Sequence, residues 1–575
     1  MKTRFIILMS LMLGLTSCFD NILDKEPQDI YSDKNLWNSK DLIEAYVIDL
    51  YSTSRFGGIF RDNEKIELIT TTDEALGGQV YAHTHEICRG VINSTNGFNQ
   101  HWDYEFIRRA NYFLENYKQG VLEPELLENR AAEVRFLRAF CYFEMVKRYG
   151  GVPLVLKVQD MNEGDKLFVS RNKEDEVYDF IIKECDDITK ILPESYEDAE
   201  SGRITRYAAW ALLSRAALYA GSIAENGSPI KDPNGKVGIP ADKAQAYYQA
   251  SLDASNELVG KFSLYEKKAD KALNYQNLFL DTENNSEVIL WKKYVPLLSG
   301  HNYDWWQSIE LHNVCVAVST EMVNSFDMID GSNKEIDFSS VTADLNTILE
   351  KKDPRLHATV LWNGAEWKNK PVQSYRGVID VINGERVTMT DRTKEYKGMP
   401  QQGADFCENM ATGFTLKKYL DPESSIKTKD SESGTDYIVF RYAEILLNKA
   451  EAAFKLGDSD TALDAINEIR RRAGVFELTS IDMQKIMDER KVELAFEEHR
   501  FYDIRRWRIA EEVIAKDLHS AFVYYDFTIN DYRYTFYVAG NEAGKRKFLP
   551  QHYYLPIMPD RISNNPNLTE NPGYN

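Results

Sequence analysis

The chain has no Cys-x-x-Cys pair, no apolar run long enough to cross a bilayer and no surplus of basic charge. Each absence removes a class of function. Six cysteines stand at long, irregular intervals: Cys18, Cys88, Cys141, Cys185, Cys315 and Cys407. With Cys18 set aside, the rest are odd in number, which argues against a disulfide framework and against a structural zinc site. A formal net charge of -21 repels phosphate backbones, so nucleic acid is not an expected partner. No Gly-x-Ser-x-Gly, His-Glu-x-x-His or phosphate-binding glycine loop occurs, and none of the chemistries those motifs support is expected. Ninety acidic residues supply carboxylates in plenty, but no pattern singles out a glycosidase pair.

Aromatic residues are plentiful at 12%, with 33 Tyr and 9 Trp. Many must lie in a core, yet Tyr and Trp are also the side chains that hold uncharged ligands by their faces. The N-terminus is basic at Lys2 and Arg4, apolar from Phe5 to Leu15, and then reads Leu15-Thr16-Ser17-Cys18. The apolar run suits a signal peptide and falls short of the roughly 20 residues that span a membrane. The pattern is similar to the lipobox of bacterial lipoproteins. It predicts removal of residues 1–17, lipid on Cys18 and a membrane anchor made of acyl chains.

From Leu36 the dominant period is helical. In residues 131–149, Val134, Leu137, Cys141, Met145 and Tyr149 form one apolar stripe, and Phe136, Phe140 and Phe143 a second. A helix apolar on two faces is expected between neighbours. Gly150-Gly151 and Pro153 end it. Residues 207–219 (YAAWALLSRAALY) and 442–454 (YAEILLNKAEAAF) resemble one another, and each precedes a second helical segment, Asp242–Val259 and Thr461–Arg472. Helix pairs of this kind are the mark of tetratricopeptide-like arrays. Between about 262 and 435 the chain turns irregular and rich in Gly, Asn, Asp and Pro, with a strand expected over Ser286–Tyr294. The expected layout is one domain, 18–575. A helical scaffold occupies 36–261 and 436–516, an irregular insertion 262–435 and a C-terminal tail 517–575.

Nine segments together resemble the SusD/RagB family of outer-membrane lipoproteins from glycan-foraging bacteria. They are Leu23–Pro27, a helix bearing Trp102, Tyr104, Ile107 and Asn111, the run 130–155, residues 203–221, Asp353-Pro354-Arg355, residues 436–452, residues 489–507, Tyr554–Ile557 and residues 565–574. The resemblance implies a mainly α fold: about four tetratricopeptide-like helix pairs with a loop-rich ligand-binding portion carrying short strands. It implies no enzyme activity and no cofactor. It further implies an outer-membrane protein, lipid-anchored and facing the exterior. Such a protein captures oligosaccharide and serves as lid and partner of a SusC-like TonB-dependent transporter. Two rival readings stand beside it: a helical-repeat adaptor that binds only protein, and a lipid-anchored glycoside hydrolase.

The ligand site is expected where aromatics meet polar side chains. Tyr303-Asp304-Trp305-Trp306 follows the strand ending near Tyr294. A flat ring covers a sugar face while polar groups bond its hydroxyls. Adjacent residues diverge, so one of Trp305 and Trp306 is expected to meet ligand and the other to pack inward. The family's site also draws on the region where Thr72-Asp73-Glu74 stands, which makes Asp73 an expected edge acceptor. Trp362 and Trp367 are weaker candidates, and Trp102 is expected in the core. His83 and His85 would share one side of a strand but lack a third metal ligand, and no metal site is expected. The charge-dense stretch 488–508 is read as a scaffold helix laced with i, i+4 ion pairs, with Arg500, Arg505 and Arg506 also reaching carbonyls or carboxylates of adjacent helices, rather than as a catalytic carboxylate pair.

Overall fold

The computed structural model describes residues 33–56, 58, 66–78, 82–197, 200–332, 335–337, 345–425, 428, 430–539 and 545–574. The expected signal segment and Cys18 lie outside them.

Two runs of helices build the scaffold. The first comprises α1 (Lys40–Thr53), α2 (Tyr104–Asn116), α3 (Pro124–Tyr149), α4 (Glu174–Thr189), α5 (Arg206–Asn226) and α6 (Ala244–Asn256). The second comprises α7 (Tyr442–Lys455), α8 (Ser459–Ala473), α9 (Met483–Glu493) and α10 (His499–Arg506). Both apolar stripes of α3 are buried, because α1, α2, α4 and α5 surround it. Gly150 stops α3 with φ 72°. A Cβ there would meet the Lys236 carbonyl oxygen at 2.5 Å, so both the backbone angle and the space demand glycine.

The two similar segments pack through their alanines. Ala208, Ala209, Ala211, Ala216 and Ala217 of α5 and Ala443, Ala450, Ala452 and Ala453 of α7 have no exposed surface. Small residues there let α6 lie against both α5 and α7, which joins the two runs into one array. Arg215 of α5 closes that joint with a two-pronged pair to Glu444 of α7, both contacts at 2.6 Å.

The irregular region is tied at its neck. Val288–Lys292, inside the strand expected there, pairs antiparallel with Tyr437–Arg441 at the region's far end. One four-stranded sheet runs in the order Ala75–Gly77, Val316–Val318, Phe414–Leu416, Val360–Trp362. A second runs Asp531–Val538, His519–Asp526, Gly377–Ile382, Glu385–Met389. The residues after 517 therefore do more than trail as a tail: they give this sheet a hairpin. Among the described residues, no helix is long and apolar enough to cross a membrane.

Three local expectations change. Trp102 stands before the Asp103 cap of α2 rather than on the helix, while Tyr104, Ile107 and Asn111 are on it. Residues 82–87 form a helical turn, not a strand, and residues two apart on a helix do not share a face. The stretch 488–508 is not one helix. It breaks between α9 and α10, where Phe496 and Glu498 take φ of 61° and 67°. Its charges reach across the molecule as well as along the stretch. Arg355 meets Glu489 and Glu493, and Arg441 meets Glu287, Glu493 and Glu497, all buried. Arg506 meets Glu451 of α7 and Asp503 of its own helix. The charges of the segment are used in ion pairs, and most of the partners are distant in sequence.

Candidate functional site

Asp73 is committed elsewhere. Its two carboxylate oxygens accept from Arg500 Nε and Nη2 at 2.8 Å each, and Lys491 Nζ adds a third contact at 2.8 Å. Burial pushes this carboxyl up, but the two cations outweigh it and hold it well below the usual carboxylate range. Its neighbour Glu74 accepts from the backbone N–H of Phe496 at 2.9 Å, and burial pushes its pKa up to about 7. Asp73 and Glu74 thus lock the bend between α9 and α10, and both carboxylate oxygens of Asp73 are engaged by cations of that bend.

Tyr303 is also structural. It is 2% exposed, and its hydroxyl donates to the Lys418 carbonyl at 2.9 Å. Asp304, buried beside it, accepts from the backbone N–H of Asp421 at 3.1 Å, while its own N–H donates to Ser433 Oγ at 3.2 Å. These bonds pin the short helix Tyr303–Gln307 against the 421–433 segment.

Trp305 and Trp306 both remain half-buried. Their rings meet edge to face, centroids 4.8 Å apart at 82°. The two neighbours differ in what they pack on: Trp306 is among the residues packed on the core, and Trp305, equally half-buried, is not.

The helix leads directly into Ser308–Leu311, which line a cleft of about 750 Å³. That volume lies within the ordinary range of ligand sites, roughly 300–1,000 Å³. Trp367 forms part of the wall, and its indole N–H donates to Glu310 Oε1 at 2.9 Å. Lys368 Nζ lies 3.2 Å from the same Glu310 oxygen and donates to the Ser424 carbonyl at 2.9 Å. Burial raises the Glu310 carboxyl, but its own backbone N–H, Lys368 and Ser308 outweigh it, so its pKa lies below the ordinary value. Across the cleft, Asp405 Oδ2 accepts from the Gln373 N–H at 2.8 Å. An apolar wall with a few fixed donors and acceptors suits a polar, largely uncharged ligand better than a reacting bond. Trp362 does not join it: that ring is 5% exposed, and its N–H is spent on Asn346 Oδ1 at 2.9 Å. Among the described residues no group of three or more His, Cys, Asp or Glu is arranged to hold a metal ion.

Comparison with known proteins decides the family. A family model described as SusD family matches residues 271–574, more than half of the chain. The chain belongs to the SusD family. A second model, described as starch-binding associating with outer membrane, matches residues 21–218 of this SusD-family chain. A SusD-like protein of Bacteroides ovatus is 24% identical over 88% of the chain and 83% of its own length. The starch-binding protein SusD of Bacteroides thetaiotaomicron is 23% identical over the full length of both. The crystal structure of a SusD-like protein from Bacteroides fragilis superposes with a TM-score of 0.73 at 28% identity, covering 96% of this chain and all of that one.

Of the aromatic candidates read from the sequence, Trp367 lines this cleft and Trp305 and Trp306 do not, and the cleft residues Glu310, Lys368, Gln373 and Asp405 were not among the candidates. The one legible signal was Trp367-Lys368-Asn369-Lys370, an aromatic among polar residues. Lys368 and Asn369 both take positive φ, 51° and 60°, in the tight turn that joins the short strands at 366–367 and 370–371.

Proposed function

We propose that this chain is a non-catalytic glycan-binding lipoprotein of the outer membrane, whose ligand stacks on Trp305 and extends into the adjoining cleft. The observation that carries the reading is the contrast within one short helix. Trp306 packs on the main core, whereas Trp305, equally half-buried, is not among the residues packed there and lies just before the Ser308–Leu311 wall of a cleft with polar groups fixed on it. A sugar ring offers C–H groups to an indole face and hydroxyls to Glu310, Lys368, Gln373 and Asp405. A hydroxyl or carboxylate left buried and unpaired costs about 1–3 kcal/mol, and that penalty is the source of selectivity among glycans. The relatives named for starch binding and for outer-membrane association support the ligand class and the location.

In this reading Cys18 carries the lipid, the body faces the cell exterior, and the helical scaffold docks on a SusC-like TonB-dependent transporter over which the protein closes as a lid. The transporter, not this chain, couples uptake to energy. Calorimetric titration of the purified protein against starch, laminarin and plant and mucin glycans tests the ligand. At least one is expected to bind without being cleaved; turnover at enzyme-like rates would overturn the non-catalytic reading. Cys18→Ser is expected to release the protein from the membrane fraction, and unchanged sedimentation with membranes would remove the anchor.

A further inference from the structure

Arg355, Arg441, Arg472 and Arg506 are buried, and each is met by a carboxylate. Arg505, on α10 and 5% exposed, is not. Among the described residues no Asp or Glu lies within ion-pair distance of it. Its guanidinium carbon stands 3.4 Å over the Phe501 ring and 5.1 Å from the Phe548 ring. Nη1 donates to the Phe501 carbonyl at 2.9 Å. Nε is buried with no hydrogen-bond partner, and among the described residues Nη2 has none either. The Nε–Nη2 edge is the one with which a guanidinium grips an oxyanion in two parallel bonds. Burial pushes the pKa of this arginine down to about 9, the cost of a buried cation that no anion compensates.

A second donor stands near it. His552 is 1% exposed, and its Nδ1 accepts from the Leu549 N–H at 3.3 Å. That bond assigns the proton of the neutral ring to Nε2, which is buried with no hydrogen-bond partner. Burial, and then the charges of Arg505 and Lys547, push the pKa of this histidine down to about 4. At neutral pH it is an uncharged N–H donor within electrostatic reach of both cations. Two unpaired donors, one of them charged, suit a ligand that is rich in acceptors and anionic.

The approach to them is basic. Lys545-Arg546-Lys547 leads into Phe548, and the Lys547 N–H ties this stretch to the Cys88 carbonyl at 2.7 Å. Lys545 and Lys547 are exposed and enter no ion pair with a described residue. Arg546 bonds carbonyls alone, Thr72 at 2.7 Å and Ile514 at 2.9 Å. The acids of the adjoining described segments are Glu86 and Glu511, both exposed, while Glu512 is paired with Lys516. Four cations, Arg505, Lys545, Arg546 and Lys547, thus stand against two acids, on a chain whose net charge is -21.

We propose that Arg505, with Lys545 and Lys547 at its approach, is a binding site for a phosphate group, either the free anion or one carried by a small sugar. The guanidinium fork takes two oxygens in its own plane, and the ammonium groups add point charges that suit a doubly charged oxyanion. His552 Nε2 offers a further, uncharged N–H. The site is separate from the Trp305 cleft and stands whatever binds there.

The test combines calorimetric titration with thermal unfolding of the chain from residue 19 onward, at pH 7.5, with inorganic phosphate and with glucose 6-phosphate, each against chloride of equal ionic strength. At least one of the two is expected to bind and to raise the thermal midpoint above its value in chloride. Tighter binding of glucose 6-phosphate identifies a phosphorylated sugar as the ligand, and equal or tighter binding of inorganic phosphate identifies the free anion. Arg505→Gln removes an uncompensated buried charge. It is expected to leave the midpoint in chloride unchanged or higher, where loss of a merely structural arginine lowers it, and to weaken phosphate binding about tenfold or more. The double variant Lys545→Gln, Lys547→Gln changes exposed side chains alone and is expected to keep the fold while weakening phosphate binding severalfold, so it decides the matter should Arg505→Gln unfold. Binding of neither phosphate probe in preference to chloride would overturn the proposal. So would unchanged affinity in Arg505→Gln or, where that variant does not fold, in the lysine variant.

Discussion

At the scale of single residues, burial decides which polar groups are free to work. Asp73 looks like a ligand acceptor by its place in the chain, but Arg500 and Lys491 consume it. Asp73→Asn strands both cations beneath the surface. It is expected to cost about 3–5 kcal/mol of stability in urea unfolding, with glycan affinity of the folded protein unchanged. Glu174 illustrates the opposite shift. Its Oε2 accepts from the Tyr554 hydroxyl at 2.8 Å while Oε1 is buried without a hydrogen-bond partner, and burial raises its pKa from 4.5 to about 7. The folded state thus holds this proton longer than the unfolded chain. Its contribution to stability is full below pH 4.5 and is lost as the pH rises to 7, an effect of order 3 kcal/mol. Glu174→Gln should flatten the fall in unfolding free energy between pH 5 and 7.5. An unaltered slope would show that other groups set it.

At the scale of elements, the sequence was legible where its pattern is periodic and local. The C-terminal end of α3, the likeness of α5 and α7 and the strand at 288–292 all follow from apolar spacing, Gly and Pro. The break after α9 was not legible, because Phe496 and Glu498 are not residues that advertise a left-handed backbone. It exists because distant partners compel it: Glu74 takes the Phe496 N–H, and Asp73 takes Arg500. The expected reach of Arg500 and Arg506 to carboxylates of other elements is present, but the long-range pairs of the glutamates were missed, since i, i+4 spacing is readable in a sequence and a bond from Arg441 to Glu287 is not. Two substitutions probe elements directly. Gly150→Ala puts a Cβ against the Lys236 carbonyl at a positive φ and is expected to cost roughly 1–3 kcal/mol. Arg215→Ala leaves Glu444 buried without its partner and is expected to loosen the α5–α7 joint by about 3–5 kcal/mol. Both are read from the midpoint of denaturant unfolding, and a midpoint like that of the parent protein would refute the packing account.

At the scale of the molecule, the two helical runs pack into one array, and the irregular region returns to it at the 288–292 and 437–441 strands. That arrangement lets loops vary while the scaffold stays fixed. It also explains why the family was legible while the site was only half so. The scaffold's carriers are contiguous motifs. The cleft is assembled from 308–311, 367–373, 404–405 and 424–425, brought together by folding alone. The central claim, that Trp305 is the surface on which a glycan is held, is tested most directly by calorimetric titration of the best-binding glycan into the parent protein, Trp305→Ala and Trp306→Ala. Trp305→Ala is expected to weaken binding about tenfold or more with the thermal midpoint unchanged, while Trp306→Ala lowers the midpoint because it removes packing. Glycan affinity unchanged in Trp305→Ala would contradict the account.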